Sequence, residues 1–275
     1  MSIFDILKTV TDKIIEVSNL TKKFKDFTAV DDISFSVDHG QIFAFLGPNG
    51  AGKTTTIKML TTLLSPTSGE ITINGFDAVS DKNHVRSSFG IVFQDQSLDD
   101  ELTAYENMEF HAVLYDIPEM ARRSRIEEML KFVELVDRQN HLVKTFSGGM
   151  KRRLEIARGL LHHPKIFFLD EPTQGLDPQT RNHIWSYVRN LSKHENITIF
   201  FTTHYLEEAQ EYADKIAIMD RGKIIKVGTV HEILAATGTK TLEQGFLALT
   251  GSEIREEEAS GADKLRLHRG MWRGR

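Results

Sequence analysis

Short apolar runs separated by polar turns alternate along most of this chain. Residues 14–17, 33–37 and 41–46 are rich in β-branched and aromatic side chains and predict strands. Helical spacing follows over 54–64, and strand signals return at 70–73 and 90–93. From 103 to about 136 the strand pattern stops. There Met108, His111, Ala112 and Tyr115, then Ile126, Met129, Leu130 and Val133, recur at the intervals of two amphipathic helices. A third helical stretch opens at Ser147 and runs to about 161. Strand signals resume at 165–169, 197–202 and 215–219, with a helix over 179–192 between them. This alternation predicts an α/β fold with a mostly parallel sheet, interrupted at about 95–162 by a helical subdomain.

The longest uninterrupted apolar run is residues 42–46. A membrane-spanning helix needs about 20 such residues, so no helix of that kind is predicted. Residues 1–9 carry Asp5 within their apolar stretch and no basic leader, which argues against a secretory signal and predicts a cytosolic location. Cysteine is absent, which removes disulfides, thiolate metal sites and cysteine nucleophiles and leaves oxygen or histidine as metal ligands. A formal charge of -5 offers no general footprint for nucleic acid, and no nucleic-acid partner is expected.

Candidate chemistry sits at strand ends. Gly47, Pro48, Asn49, Gly50, Ala51, Gly52, Lys53 and Thr54 spell G-x-x-x-x-G-K-[ST] directly after an apolar strand and before a helix. Glycines allow successive backbone N–H groups to converge on phosphate oxygens, and the following helix presents its positive end to the same charge. Lys53 then reaches the β- and γ-phosphates of ATP, Thr54 offers its hydroxyl to Mg²⁺, and Thr55 continues the nucleotide contact. A second apolar strand, 165–169, ends in Asp170 and Glu171 before Pro172. Ligands gather at the carboxyl ends of strands in open α/β sheets, so Asp170 is placed to hold Mg²⁺ and Glu171 to orient or deprotonate the attacking water. Ser147, Gly148, Gly149 and Met150 form another small-residue turn opening a helix, a second anion-binding terminus.

With these motifs in order, the sequence resembles the ATP-binding subunit of ABC transporters over about residues 14–235. The resemblance implies a P-loop NTPase (RecA-like) core, an antiparallel β portion and an inserted helical subdomain. It implies two copies paired head to tail around two ATP molecules, the Ser147–Gly148–Gly149 signature of one completing the site of the other. By the same resemblance Phe24 stacks on adenine, with Phe27 the competing choice. Gln94 contacts Mg²⁺ or water and couples the site to the helical subdomain, Asp177 lies in the loop crossing the dimer interface, and His204 senses the γ-phosphate and steadies Glu171. The other ten histidines, the pair His162 and His163 among them, read as surface or capping residues. Two departures stand out: Met150 occupies the fifth signature position in place of Gln, and Gln174 replaces a small residue before Gly175-Leu176-Asp177.

Within motifs, and in 241–251, the sequence is most similar to the daunorubicin-resistance-type branch, whose members export drugs, lipids or polysaccharides. The implied function is an ATP hydrolase driving a separate membrane permease, held peripherally at the cytoplasmic face of the membrane. A soluble ABC ATPase of DNA repair or translation is the alternative; such proteins carry long coiled-coil insertions or two ATP modules, whereas this chain has one phosphate loop. A nucleotide-regulated module without turnover is argued against by Lys53, Asp170, Glu171 and His204. Outside the core, residues 1–13 set Ile3, Ile6, Leu7 and Val10 on one helical face expected to dock on the protein's own surface. Residues 236–275 are expected to be a helical extension and a tail that turns basic from Lys264, able to touch anionic lipid or to stay solvated.

Overall fold

A computed structural model describes residues 13–251. Residues 1–12 of the expected extension at 1–13, and the basic tail after 251, lie outside the described residues; Lys13 begins the first strand.

The strands are β1 (Lys13–Phe24), β2 (Phe27–Asp38), β3 (Ile42–Leu46), β4 (Ser68–Ile73), β5 (Phe76–Asp77), β6 (Phe89–Val92), β7 (Ile166–Asp170), β8 (Thr198–Thr203), β9 (Lys215–Asp220) and β10 (Lys223–Gly228). They form two sheets. The larger has the order β10-β9-β3-β8-β7-β6, parallel except for the β9–β10 hairpin, and the smaller is antiparallel in the order β2-β1-β4-β5.

The parallel strands are apolar on both faces because both faces are covered. Phe43, Phe45, Ile166, Phe168 and Phe200 point to one side, where they join the antiparallel sheet and helix α1 (Lys53–Leu60) in one core. Phe35 of β2 meets Phe43, Phe45 and Phe200 at centroid separations of 5.7, 5.0 and 6.1 Å. Ala44, Leu46, Phe167, Leu169, Ile199 and Phe201 point to the other side, into a second core with the remaining large helices. A period of two thus divides each run between two cores.

Between β6 and β7 the chain forms α3 (Ala104–Leu114), α4 (Glu119–Phe132) and α5 (Gly148–Gly159), with the short α2 (Lys82–Ser88) before β6. A capping box at Thr103 and Glu106 starts α3. After β7 come α6 (Pro178–Glu195), α7 (Leu206–Tyr212), α8 (Val230–Thr237) and α9 (Leu242–Thr250). The expected domain limit at 235 falls within α8, which runs on to Gly238 in a left-handed cap, and Leu242 of α9 is buried in the helical-side core.

Several boundaries differ from the pattern reading. β1 extends well past 17 because register shifts between Val17, Leu20 and Lys22 break its alternation while pairing continues on both sides. The helix predicted over 54–64 stops at Leu60, since Thr62 takes φ 60 and turns the chain. His111 and His162 are half-buried rather than on the surface: Tyr115 stacks on His162 at 3.8 Å and lies 4.7 Å from His111, and His162 Nε2 meets Phe89 O at 2.9 Å.

Candidate functional site

Lys53 opens α1 directly from the glycine-rich loop and is buried, with 5% of its surface exposed. Its ammonium donates to Gly47 O at 2.7 Å and Pro48 O at 3.1 Å, and pairs with Glu171 Oε1 at 3.3 Å. Two glycines are required by geometry. A Cβ on Gly47 would lie 2.2 Å from the backbone oxygen of Met219, and Gly52 has φ 105 with Ala29 O and Met219 close by. Asn49, Gly50 and Ala51 complete the loop, with Ala51 N–H donating to Pro48 O at 3.2 Å; Thr54 and Thr55 lie half-buried in the first turn of α1.

The carboxyl ends of β7 and β8 lie beside this loop. Thr54 Oγ1 donates to Asp170 Oδ1 at 3.1 Å, and Thr202 Oγ1 donates to the same oxygen at 2.6 Å. Asp170 Oδ2 is buried with no hydrogen-bond partner among the described residues. An oxygen-only set of Thr54 and Asp170 with an orphaned carboxylate oxygen fits a hard cation such as Mg²⁺. No group of three or more His, Asp or Glu among the described residues could hold a metal alone, so a cation bound here would draw its other ligands from phosphate and water oxygens.

Glu171 follows with φ 49, a conformation uncommon for a non-glycine residue. Its N–H donates to Thr202 Oγ1 at 3.0 Å, which turns the side chain toward Lys53 and His204. His204 Nδ1 donates to Glu171 Oε2 at 3.1 Å; an ionised carboxylate only accepts, so the imidazole proton in this pair sits on Nδ1. Burial pushes the Glu171 carboxyl up, but the His204 hydrogen bond and the Lys53 charge outweigh it and the net shift is downward. Burial raises Asp170, against the hydrogen bonds from Thr202 and Thr54, and burial lowers Lys53, against the charge of Glu171.

Around α5 and α6 lies a second cluster. Ser147 caps α5, its hydroxyl accepting from Met150 N–H at 3.3 Å, and Asp177 caps α6 by accepting from Thr180 N–H at 3.0 Å and Thr180 Oγ1 at 2.6 Å. Gly149 and Thr180 bring the two helix starts together, since a Cβ on Gly149 would sit 2.6 Å from Thr180 Cγ2; Gly148 faces Leu176. Gln94 donates to Gln174 Oε1 at 2.6 Å. Its loop is held from α5: Arg152 donates to Phe93 O and Gln94 O, Arg158 to Ser97 O, and Glu155 accepts from Ser97 N–H. Phe24 and Phe27 face each other at the β1–β2 turn, 45% and 63% exposed, with Lys22 Nζ 5.1 Å from the Phe24 ring.

The pattern reading missed Thr202, Arg152, Glu155 and Glu208. The signal for Thr202 was present: two threonines follow the apolar run 199–201 just before His204. Nothing in spacing marks Arg152, Glu155 or Glu208 as buried, because charged residues within helices are normally solvated.

A strand–glycine loop–helix with a buried lysine, beside two carboxylates at the end of a parallel strand, defines a P-loop nucleoside triphosphatase. The comparisons narrow this. The family profile described as ABC transporter matches residues 30–174. The chain is 39% identical over 243 residues to the linearmycin resistance ATP-binding protein LnrL of Bacillus subtilis, covering 88% of this chain and 76% of that protein. It is 40% identical over 236 residues to the daunorubicin/doxorubicin resistance ATP-binding protein DrrA of Streptomyces peucetius, covering 86% and 71%. Among solved structures, an ATP-binding subunit of an ABC transporter matches with TM-score 0.78 and 30% identity over 86% of this chain and 99% of that one. A dimeric post-hydrolysis cassette, MJ0796 bound to ADP and Pi, matches with TM-score 0.71 and 28% identity over 78% and 98%. The chain belongs to the ABC transporter family as an ATP-binding, ATP-hydrolysing subunit.

Proposed function

We propose that two copies of this chain close around two ATP molecules with Mg²⁺ and drive a separate membrane permease that exports a drug-like, lipid or polysaccharide substrate. The observation that carries the catalytic part is the buried Lys53–Glu171–His204 constellation beside Thr54 and Asp170. Lys53 grips the β- and γ-phosphates. Glu171, held as a carboxylate, orients and deprotonates the attacking water, and His204 steadies both it and the γ-phosphate. Thr54, Asp170 and Gln94 would hold Mg²⁺, which would neutralise phosphate charge when bound. The loop from Gly47 to Thr55 cradles the phosphates, and Phe24 stacks on adenine.

Ser147, Gly148 and Gly149 open α5 at a second cluster with Asp177, and by the family resemblance they complete the ATP site of the second copy. Release of phosphate removes the charge bridging the halves and lets them part. Among the described residues no helix is long and apolar enough to cross a membrane, so a permease partner would supply the passage and hold this subunit at the cytoplasmic face. The relatives' names, resistance to linearmycin and to daunorubicin, support export as the direction.

The test is Glu171→Gln in the full chain. Expected are retained ATP binding, turnover lowered by about 10²–10⁴-fold and a stable ATP-bound dimer by light scattering. Hydrolysis at the wild-type rate would remove Glu171 from its role.

A further inference from the structure

Against the segments that carry Glu171 and His204 lies a buried carboxylate that the hydrolytic reading does not use. Glu208, in the first turn of α7, is 3% exposed. Thr173 Oγ1 donates to its Oε1, and Thr203 Oγ1 donates to its Oε2 at 2.9 Å. Each hydroxyl stands beside a residue of the site. Thr173 is two positions after Glu171, and Thr203 immediately precedes His204. Thr203 Oγ1 also accepts from Tyr205 N–H at 3.0 Å, which fixes the chain on the far side of His204. From the first turn of α6, Arg181 approaches Glu208 Oε1 at 3.7 Å while its guanidinium lies over the Tyr205 ring at 4.7 Å.

We propose that Glu208 is a positioning residue that clamps the turn carrying Glu171 to the strand end carrying His204, and ties both through Arg181 to the helix that Asp177 caps. This rests on the ATP-hydrolysis reading of the same site. The chemistry explains why a carboxylate stands here. A carboxylate accepts at both oxygens and so holds two hydroxyl donors at once. An amide has one accepting oxygen, so one of the two hydroxyls would lose the acceptor for its proton and could only accept from the NH₂. Thr173 and Thr203 are each 1% exposed, so neither can turn to water when the carboxylate is removed. Glu171 already sits at φ 49, and its contact with His204 is a single hydrogen bond, so slack in either segment misplaces the base.

The experiment uses the full-length protein and measures steady-state ATPase kinetics, equilibrium binding of ATP and thermal melting for Glu208→Ala, Glu208→Gln, Thr173→Val and Thr203→Val. Expected for Glu208→Ala is a fall in kcat of roughly 10–100-fold with the ATP Kd and KM within about threefold of wild type. Glu208→Gln falls between it and wild type. The valine variants, which keep the side-chain shape, lower kcat several-fold each, and Thr203→Val adds less than about twofold in the Glu208→Ala background because the clamp is already lost. If Glu208→Ala does not fold, the two valine variants carry the same kcat-against-KM comparison. Wild-type kcat in the folded variants, equal losses in kcat and ATP affinity, or fully multiplicative effects would overturn the proposal. A wild-type protein that binds ATP without hydrolysing it would overturn the ATPase reading itself, and Glu171→Gln would then match wild type.

Discussion

Arginine 152 offers a perturbation whose size can be worked from the contacts. Its guanidinium donates to Glu155 Oε2 at 3.0 Å and to the backbone oxygens of Phe93 and Gln94, with the paired side chains 8% and 0% exposed. In Arg152→Ala, Glu155 would keep only the N–H and hydroxyl of Ser97 as donors, and two loop carbonyls would lose theirs. Breaking one side of a buried pair costs about 3–5 kcal/mol, much of it the uncompensated charge that remains. Against a total stability of about 5–15 kcal/mol this is a large share. For a chain of this size each kcal/mol moves the melting temperature by about 2–4 °C, so Tm should fall by about 6–20 °C. Differential scanning calorimetry without nucleotide measures it. Arg152→Met with Glu155→Leu, which removes both charges, should recover more than half of the loss. A Tm for Arg152→Ala within about 2 °C of wild type would refute the view that this pair anchors the Gln94 loop to α5.

Three further outcomes follow from the same contacts. His111 is lowered to about 3 by burial and then by the charges of Arg158 and His162, and His162 to about 4 mainly by burial. The unfolded chain takes up these protons below about 6.5 while the fold does not, so stability should fall as pH drops from about 6.5 toward 4, by about 1.4 kcal/mol per unit for each group; His111→Phe should flatten the slope in urea titrations at several pH values. Gly47→Ala drives a Cβ into Met219 O at 2.2 Å, and should both lower Tm and weaken ATP binding by about tenfold or more, read by calorimetry. Thr54→Val keeps shape but removes the hydroxyl beside Asp170, and should raise the Mg²⁺ concentration needed for half-maximal ATPase with little change in apo stability; an unchanged Mg²⁺ requirement would exclude Thr54 as a ligand.

Much of the site was legible because its residues are local in sequence. The phosphate loop is one contiguous turn between a strand and a helix, and Asp170 with Glu171 closes an apolar strand, so spacing alone pointed to both. The boundaries of β1 and α1 were less legible, because a bulged strand loses its period and a helix can end at a single threonine with positive φ. The half-burial of His111 and His162 was not legible, since spacing does not say which ring a tyrosine 47 positions away will cover, as Tyr115 covers His162.

By itself, then, the sequence determined the α/β alternation, the phosphate-binding chemistry and the family, all of which rest on residue types in short windows. Only the tertiary structure decided how the windows meet. Parallel strands β3, β7 and β8 bring Lys53, Asp170, Glu171 and His204 to one edge, although they span more than half the chain. The same packing buries Arg152, Glu155 and Glu208, charged residues that a linear reading assigns to solvent. A buried charge must be matched by donors or acceptors from other segments, and those partners, Phe93, Ser97, Thr173 and Thr203, are set by the fold and by no local pattern.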